Sequence, residues 1–260
     1  MKNILFLILV TIVLCGCSKV AVTGRNQLNL VSDSEVLSAS LSQYSDYMKT
    51  AKKSNDKKQF AMVTRVGGKI ASATEQYLRD NGLEGEIKNY SWEFNLVQSD
   101  EVNAFCMPGG KIVVYEGIMK LVSGEDELAV IIGHEVAHAV AKHSNERMSQ
   151  QIIASYGSQA LSVALSKKSA VTQQVASVVY GLGAQYGVML PFSRKHESEA
   201  DYMGLVFMKM AGYNPEAAIS FWEKMAAQGG KTPEFMSTHP SDDRRIDDIN
   251  KVLPEINQKY

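Results

Sequence analysis

His134 and His138 stand one helical turn apart and enclose an acid in the string His134-Glu135-Val136-Ala137-His138. On a helix, residues four apart lie roughly 40° apart around the axis, so the two imidazoles can aim at one point. Two neutral imidazoles suit a zinc ion, and a carboxylate beside them suits the role of proton acceptor for a water that the metal activates. A surface helix that carries two histidines satisfies the same spacing. The chemistry therefore needs a third ligand from elsewhere in the chain.

The run His196-Glu197-Ser198-Glu199-Ala200-Asp201 offers one. Glu197 and Asp201 share a helical face, while Glu199 points away from it. From that face Glu197 can complete a coordination sphere and Asp201 can orient a ligating histidine. A solvated surface acid is the alternative for Glu197. His196 competes as a donor, but it lies one residue off the face and beside Lys195. His143, if the motif helix continues, falls roughly 180° around the axis from His134 and reads as a packing or solvent histidine. Cys106, between Phe105 and Met107, reads as a buried, inert thiol rather than a nucleophile.

Several elements must position these groups. Ser123-Gly124-Glu125-Asp126-Glu127 starts the motif helix with a cap-like serine and an acidic first turn, and the pattern runs on through Lys142, His143 and Glu146 towards Met148. Upstream, Ser32 and Glu35 form a helix-start signal ahead of Val36, Leu37, Leu41, Tyr44 and Met48. A second amphipathic run from Phe60 to Tyr77 stops near Asn81-Gly82, and the two supply a packing wall. Alternation from Ser91 to Gln98 reads as a strand. The runs 102–107 and 111–115 flank Pro108-Gly109-Gly110 as a hairpin. The strand Lys111–Tyr115 would hold a substrate backbone extended beside the motif helix, unless the sheet is purely structural. Residues 150–190 are rich in small side chains and read as helical pairs, with no apolar run of membrane-spanning length. A further helix starts at Asn214-Pro215-Glu216 and breaks at Gly229-Gly230-Lys231-Thr232-Pro233, and Ser241 or Asp242 caps a last helix carrying Ile246, Ile249 and Val252.

The chain has 260 residues, 45% of them hydrophobic and 21% charged, with a formal net charge of -1. That is a folded protein with no electrostatic case for nucleic acid. The N-terminus departs from this average: Lys2, an apolar run from Ile4 to Leu14, then Leu14-Cys15-Gly16-Cys17. The run is short for a permanent span and fits a secretory signal. Leu14 to Cys17 resembles a bacterial lipobox, so residues 1–16 are expected to be a lipoprotein signal peptide, with Cys17 as the lipidated residue. A signal peptide cut elsewhere is the alternative. Residues 17–31 would then be an extended anchor and linker, and 32–260 the folded domain. Ser18 matches the sorting pattern for the Gram-negative outer membrane. With Cys17 acylated, Cys106 is left alone and no internal disulfide can form.

Five segments, in order, carry a family resemblance: Thr23-Gly24-Arg25 with Gln27-Leu28-Asn29; Asn103-Ala104-Phe105 with Pro108-Gly109-Gly110; His134-Glu135-x-x-His138; Glu197-x-x-Ala200-Asp201; and Ser237-Thr238-His239-Pro240 followed by Arg245. Together they resemble the HtpX/Ste-type zinc metallopeptidases, in their periplasmic lipoprotein branch (LoiP- and BepA-like), without the tetratricopeptide-repeat extension. The resemblance implies one Zn²⁺ per chain held by His134, His138 and Glu197, and Glu135 as general base. It makes Asp201 a partner of a ligand or a proton donor. His239 would either stabilise the oxyanion or act as a fourth ligand that keeps the enzyme latent. The fold expected is mainly α (α+β), a zincin-like helical domain with a small sheet or hairpin beside the active-site helix. The function expected is an endopeptidase of the bacterial cell envelope, facing the periplasm from the outer membrane. Its substrates would be misfolded or regulatory envelope proteins, with other envelope proteins as partners. The competing class is a chaperone-like, non-proteolytic envelope factor with its metal site held closed by His239.

Overall fold

The computed structural model describes residues 17–167, 190–228, 233–239 and 244–260, with residues 170, 172–174 and 177 between them. The signal segment 1–16, residues 229–232 of the break, the cap at Ser241 or Asp242 and much of the second small-residue helical pair lie outside the described residues.

Residues 17–31 do not run as a free lead. Strands β1 (Cys17–Lys19) and β2 (Asn26–Leu28) pair antiparallel, turned at Gly24 with a φ of 66° that glycine adopts without strain. Val20 is buried in the main core, and the Leu30 N–H donates to Ser149 Oγ at 2.8 Å. Helix α1 (Asp33–Thr50) opens with the expected capping box, in which Glu35 N–H donates to Ser32 Oγ and Ser32 N–H to Glu35 Oε2. Helix α2 (Lys57–Asp80) is capped by Asp56 and buries Val63, Val66, Ile70 and Tyr77 along one stripe.

The three-stranded sheet is built from β3 (Glu93–Val97), β4 (Ala104–Met107) and β5 (Lys111–Tyr115) in the order β3-β5-β4. The expected hairpin forms: β4 pairs antiparallel with β5, Met107 opposite Lys111, across Gly109 and Gly110 at φ 96° and 79°. Strand β5 also pairs in parallel with β3, so it lies in the middle of the sheet. The expectation that Lys111–Tyr115 receives substrate is thereby corrected. A central strand has its backbone groups committed on both sides, and β4 is the edge strand whose Cys106 N–H reaches Glu135 of the motif.

After the short helix α3 (Glu116–Met119) comes α4 (Glu125–Val140), which carries the motif. Its N-cap is Gly124, not Ser123; the Ser123 N–H instead donates to Glu127 Oε2 at 2.7 Å. Helix α4 ends at Val140. Lys142 takes the left-handed conformation (φ 56°) and a new helix, α5 (His143–Leu165), sets off from there. The continuous helix expected through His143 is therefore two helices.

Helix α6 (Leu190–Met210) packs across α4, and the two touch backbone to backbone at Gly133 and Gly204. Helices α7 (Ala217–Ala226), α8 (Glu234–Thr238) and α9 (Arg245–Lys259) close the far side with Phe221, Trp222, Phe235 and Ile256 in the core. Among the described residues the architecture is mainly helical with two small sheets, and α4 lies in its core, with Leu128, Ile131, Ile132 and Val136 fully buried. No helix among the described residues is long and apolar enough to cross a membrane.

Candidate metal centre

Helix α4 turns His134 and His138 to the same side, with their Nε2 atoms 3.1 Å apart. Helix α6 brings Glu197 over them: Oε2 lies 3.2 Å from His134 Nε2 and Oε1 lies 3.4 Å from His138 Nε2. His239, at the C-cap of α8, places Nδ1 3.2 Å from Glu197 Oε2 and 3.3 Å from His134 Nε2. One donor atom from each of these four residues lies within 4.8 Å of the others. The fold thus brings together all three residues read as ligands, with the histidine expected from the C-terminal loop beside them.

The donor set fits a divalent cation. Three imidazoles and a carboxylate converge in a mostly buried place, and Glu197 Oε1 is buried there without a hydrogen bond. Glu197 stays ionised: burial pushes its pKa up, but His138 and His134 pull it far below the usual carboxylate range. A nitrogen-and-carboxylate set of this size matches the ligand preference of zinc and of related transition metals.

Glu135 sits next to the donors on α4. Its Oε2 accepts from the Cys106 N–H of β4 at 3.1 Å, and its buried Oε1 makes no hydrogen bond, with His239 Nε2 3.3 Å away. Burial raises its pKa against the opposing pull of His239 and His134. Beside it opens a cleft of about 360 Å³ lined by Phe105, Cys106, Glu135, His138, Arg147 and His239. The Cys106 thiol lies on this wall, and burial followed by the Glu135 charge holds its pKa well above its ordinary value, in keeping with the inert thiol expected.

Both histidines of the motif have a partner behind them. His134 Nδ1 lies 2.9 Å from Asp201 Oδ1, as the spacing of Glu197 and Asp201 suggests. Asp201 in turn accepts two bonds from Arg245, at 2.8 and 2.6 Å, and the guanidinium lies 3.3 Å from the centre of the Trp222 ring. Behind His138 stands His143, Nδ1 to Nδ1 at 2.8 Å, and His143 Nε2 meets Glu199 Oε2 at 3.0 Å. His143 is neither a ligand nor a solvent residue. The half-turn argument that set it aside assumed an unbroken helix, and the left-handed Lys142 removes that assumption. His196 is not in the donor set; it bonds Glu146 at 2.9 Å and stacks on His143. Sequence spacing gave no signal for Glu199 or Arg25 at this centre.

A helix that donates two imidazoles, a second helix that donates a carboxylate, and a buried glutamate beside an edge strand define the class of metallopeptidases. The chain belongs to peptidase family M48, whose sequence profile matches residues 66–253. It is 40% identical over 183 residues to the mitochondrial metalloendopeptidase OMA1 of Schizosaccharomyces pombe, covering 66% of this chain and 50% of that one. It is 28% identical over 251 residues to the human mitochondrial metalloendopeptidase OMA1, covering 92% and 45%. It is 30% identical over 167 residues to the beta-barrel assembly-enhancing protease of Yersinia pestis, covering 60% and 33%. The chain spans about half or less of the length of these curated relatives.

These relatives correct one expectation. The bacterial outer-membrane location read from the N-terminus is overturned by the metalloendopeptidases of Schizosaccharomyces pombe, Arabidopsis thaliana, Saccharomyces cerevisiae and human, all of them mitochondrial. The family resemblance stands at the level of peptidase family M48, and the relatives include both mitochondrial and bacterial proteases.

Proposed function

We propose that the chain is a zinc-dependent endopeptidase that cleaves extended protein or peptide substrates, with Glu135 as general base. The observation that carries this reading is Glu135 itself: a buried carboxylate with one oxygen unspent, beside four convergent metal donors and facing a cleft. His134, His138 and Glu197 would hold the ion. The chemistry that zinc supplies in such a site is polarisation of the scissile carbonyl and acidification of a water. Glu135 takes the water's proton as the oxygen adds to the carbonyl carbon. It then delivers that proton to the amine nitrogen as the C–N bond breaks. Burial raises its pKa, which suits a group that both takes and returns a proton. Edge strand β4, whose Cys106 N–H reaches Glu135, is the place for the substrate backbone. The endopeptidase and protease names of the relatives agree with this activity.

Glu135→Gln tests it. The variant keeps shape and metal but cannot carry the proton, so cleavage of an unfolded protein such as casein should fall by about 10²- to 10⁴-fold with zinc content unchanged. Activity retained in that variant would sink the general-base assignment.

One observation favours a latent resting state of the same enzyme. His239 already lies among the donors, where its Nδ1 occupies the place a fourth ligand would take. A chain held this way would need displacement of His239 before it could turn over.

A further inference from the structure

We propose that Arg25, in the N-terminal β1–β2 hairpin, is a positioning residue for the metal ligand His138, acting through Glu199 and His143. The inference rests on the reading of His134, His138 and Glu197 as a metal centre.

Arg25 reaches from the hairpin into the body of the fold and forks two buried acids. Its Nη1 and Nη2 donate to the two oxygens of Glu146 at 2.9 and 2.7 Å, and its Nε donates to Glu199 Oε2 at 2.8 Å. Thr23, from the same turn, donates to Glu199 Oε1. Glu199 is thereby held in one orientation, and its Oε2 meets His143 Nε2 at 3.0 Å. His143 Nδ1 meets His138 Nδ1 at 2.8 Å, and His138 Nε2 faces the other donors. His196 bonds Glu146 and stacks flat on His143 with ring centres 4.2 Å apart, which fixes the ring plane.

The direction of every proton along this chain follows from its two ends. The Glu199 carboxylate is an acceptor, so His143 Nε2 carries the hydrogen, and a neutral His143 then has a bare Nδ1. At 2.8 Å from that bare nitrogen, His138 Nδ1 must carry the hydrogen. That leaves the lone pair of His138 on Nε2, the atom that faces the other donors. Were His143 to donate from Nδ1 instead, His138 would keep its hydrogen on Nε2 and lose its ligating atom. Arg25 is the cation that pairs this buried anion among the described residues. The N-terminal hairpin therefore does more than pack: it secures the tautomer of a ligand more than a hundred positions further along the chain, a role that Arg245 and Asp201 fill for His134.

The test is zinc affinity of the full chain, measured by competition with a chelating dye, and the visible absorption of the cobalt-substituted protein, with circular dichroism to verify folding. Arg25→Met and His143→Phe should each weaken zinc binding by about 10- to 100-fold and shift the cobalt spectrum. The double variant should bind no more weakly than His143→Phe alone, because both lie on one path. Arg25→Lys, which keeps the charge but not the fork, should recover part of the loss. If Arg25→Met does not fold, Glu199→Leu gives the same readout, since it removes the acceptor of the His143 Nε2 hydrogen together with the buried charge. Wild-type zinc affinity in the folded variants, or losses that add in the double variant, would overturn the proposal and leave Arg25 a purely structural residue. A wild-type protein that takes up no zinc would instead overturn the metal centre, and this proposal with it.

Discussion

Gly133 of α4 and Gly204 of α6 are in backbone contact: a Cβ on Gly204 would stand 2.9 Å from the carbonyl carbon of Gly133 and 2.9 Å from the nitrogen of His134. This crossing brings the two helices close enough for Glu197, almost two turns before Gly204, to reach both imidazoles. Neither glycine has a positive φ, so the reason for each is space and not conformation.

Gly204→Ala should therefore force α6 away from α4. The expected loss is about 1–3 kcal/mol of stability in urea unfolding, together with weaker zinc binding, because the added methyl meets backbone that cannot rotate aside. Gly68→Ala is the control. It lies in α2 with open space around it and should stabilise the fold by roughly 0.4–1 kcal/mol. Equal stability of Gly204→Ala and the wild type would show that the crossing does not set the ligand distances.

His239→Ala should raise basal turnover while weakening zinc retention several-fold, because His239 lies 3.3 Å from His134 Nε2 and 3.2 Å from Glu197 Oε2 in the position of a fourth donor. The same variant showing lower kcat with unchanged zinc affinity would move His239 from latch to oxyanion partner.

Arg245→Met leaves Asp201 as a buried carboxylate without its cation, and it removes the guanidinium stacked on Trp222. The cost should be about 3–5 kcal/mol in chemical denaturation. Asp201→Asn with Arg245→Met should recover part of it, by removing the stranded charge. Additive losses in the double variant would argue that the two residues act apart.

The pH dependence of metal uptake has a definite sign. In the metal-free protein, burial lowers the pKa of His134, but Asp201 and Glu197 outweigh it and lift it to about 9. His138 is held well below its ordinary value by burial and stays neutral. At neutral pH His134 therefore holds a proton that zinc must displace. Calorimetry in buffers of different ionisation enthalpy should find about one proton released per zinc, with affinity rising about tenfold per pH unit until about pH 9. Linkage gives the companion result. A raised histidine pKa stabilises the metal-free fold fully below the ordinary 6.5, and that contribution is lost as pH climbs through about 9. Zinc uptake without proton release at pH 7 would contradict the protonated site.

Much of the centre is legible before folding. His134, Glu135 and His138 share a face by helical periodicity alone, and Glu197 with Asp201 does so on a second helix. The capping box at Ser32 and the turn at Gly109-Gly110 are equally local, and both appear where the residue types place them. Other readings failed where a local pattern had two continuations. Helical apolar spacing ran on through Lys142, and only packing turned that residue left-handed and returned His143 to the site. Strand alternation in 111–115 could not say that β5 would gain a partner on its second edge and leave β4 as the edge strand beside Glu135.

The sequence by itself determined which side chains are chemically able to hold a metal and move a proton, because helical repeat and residue type are properties of short stretches. Only the tertiary structure decided that Glu197 meets both histidines, that His239 joins them, and that Arg245 and Arg25 stand behind them. Those contacts join residues 42 to 174 positions apart. No short-range pattern encodes such contacts; they follow from two glycines that let helices touch and from buried charges that must find each other or remain unpaired.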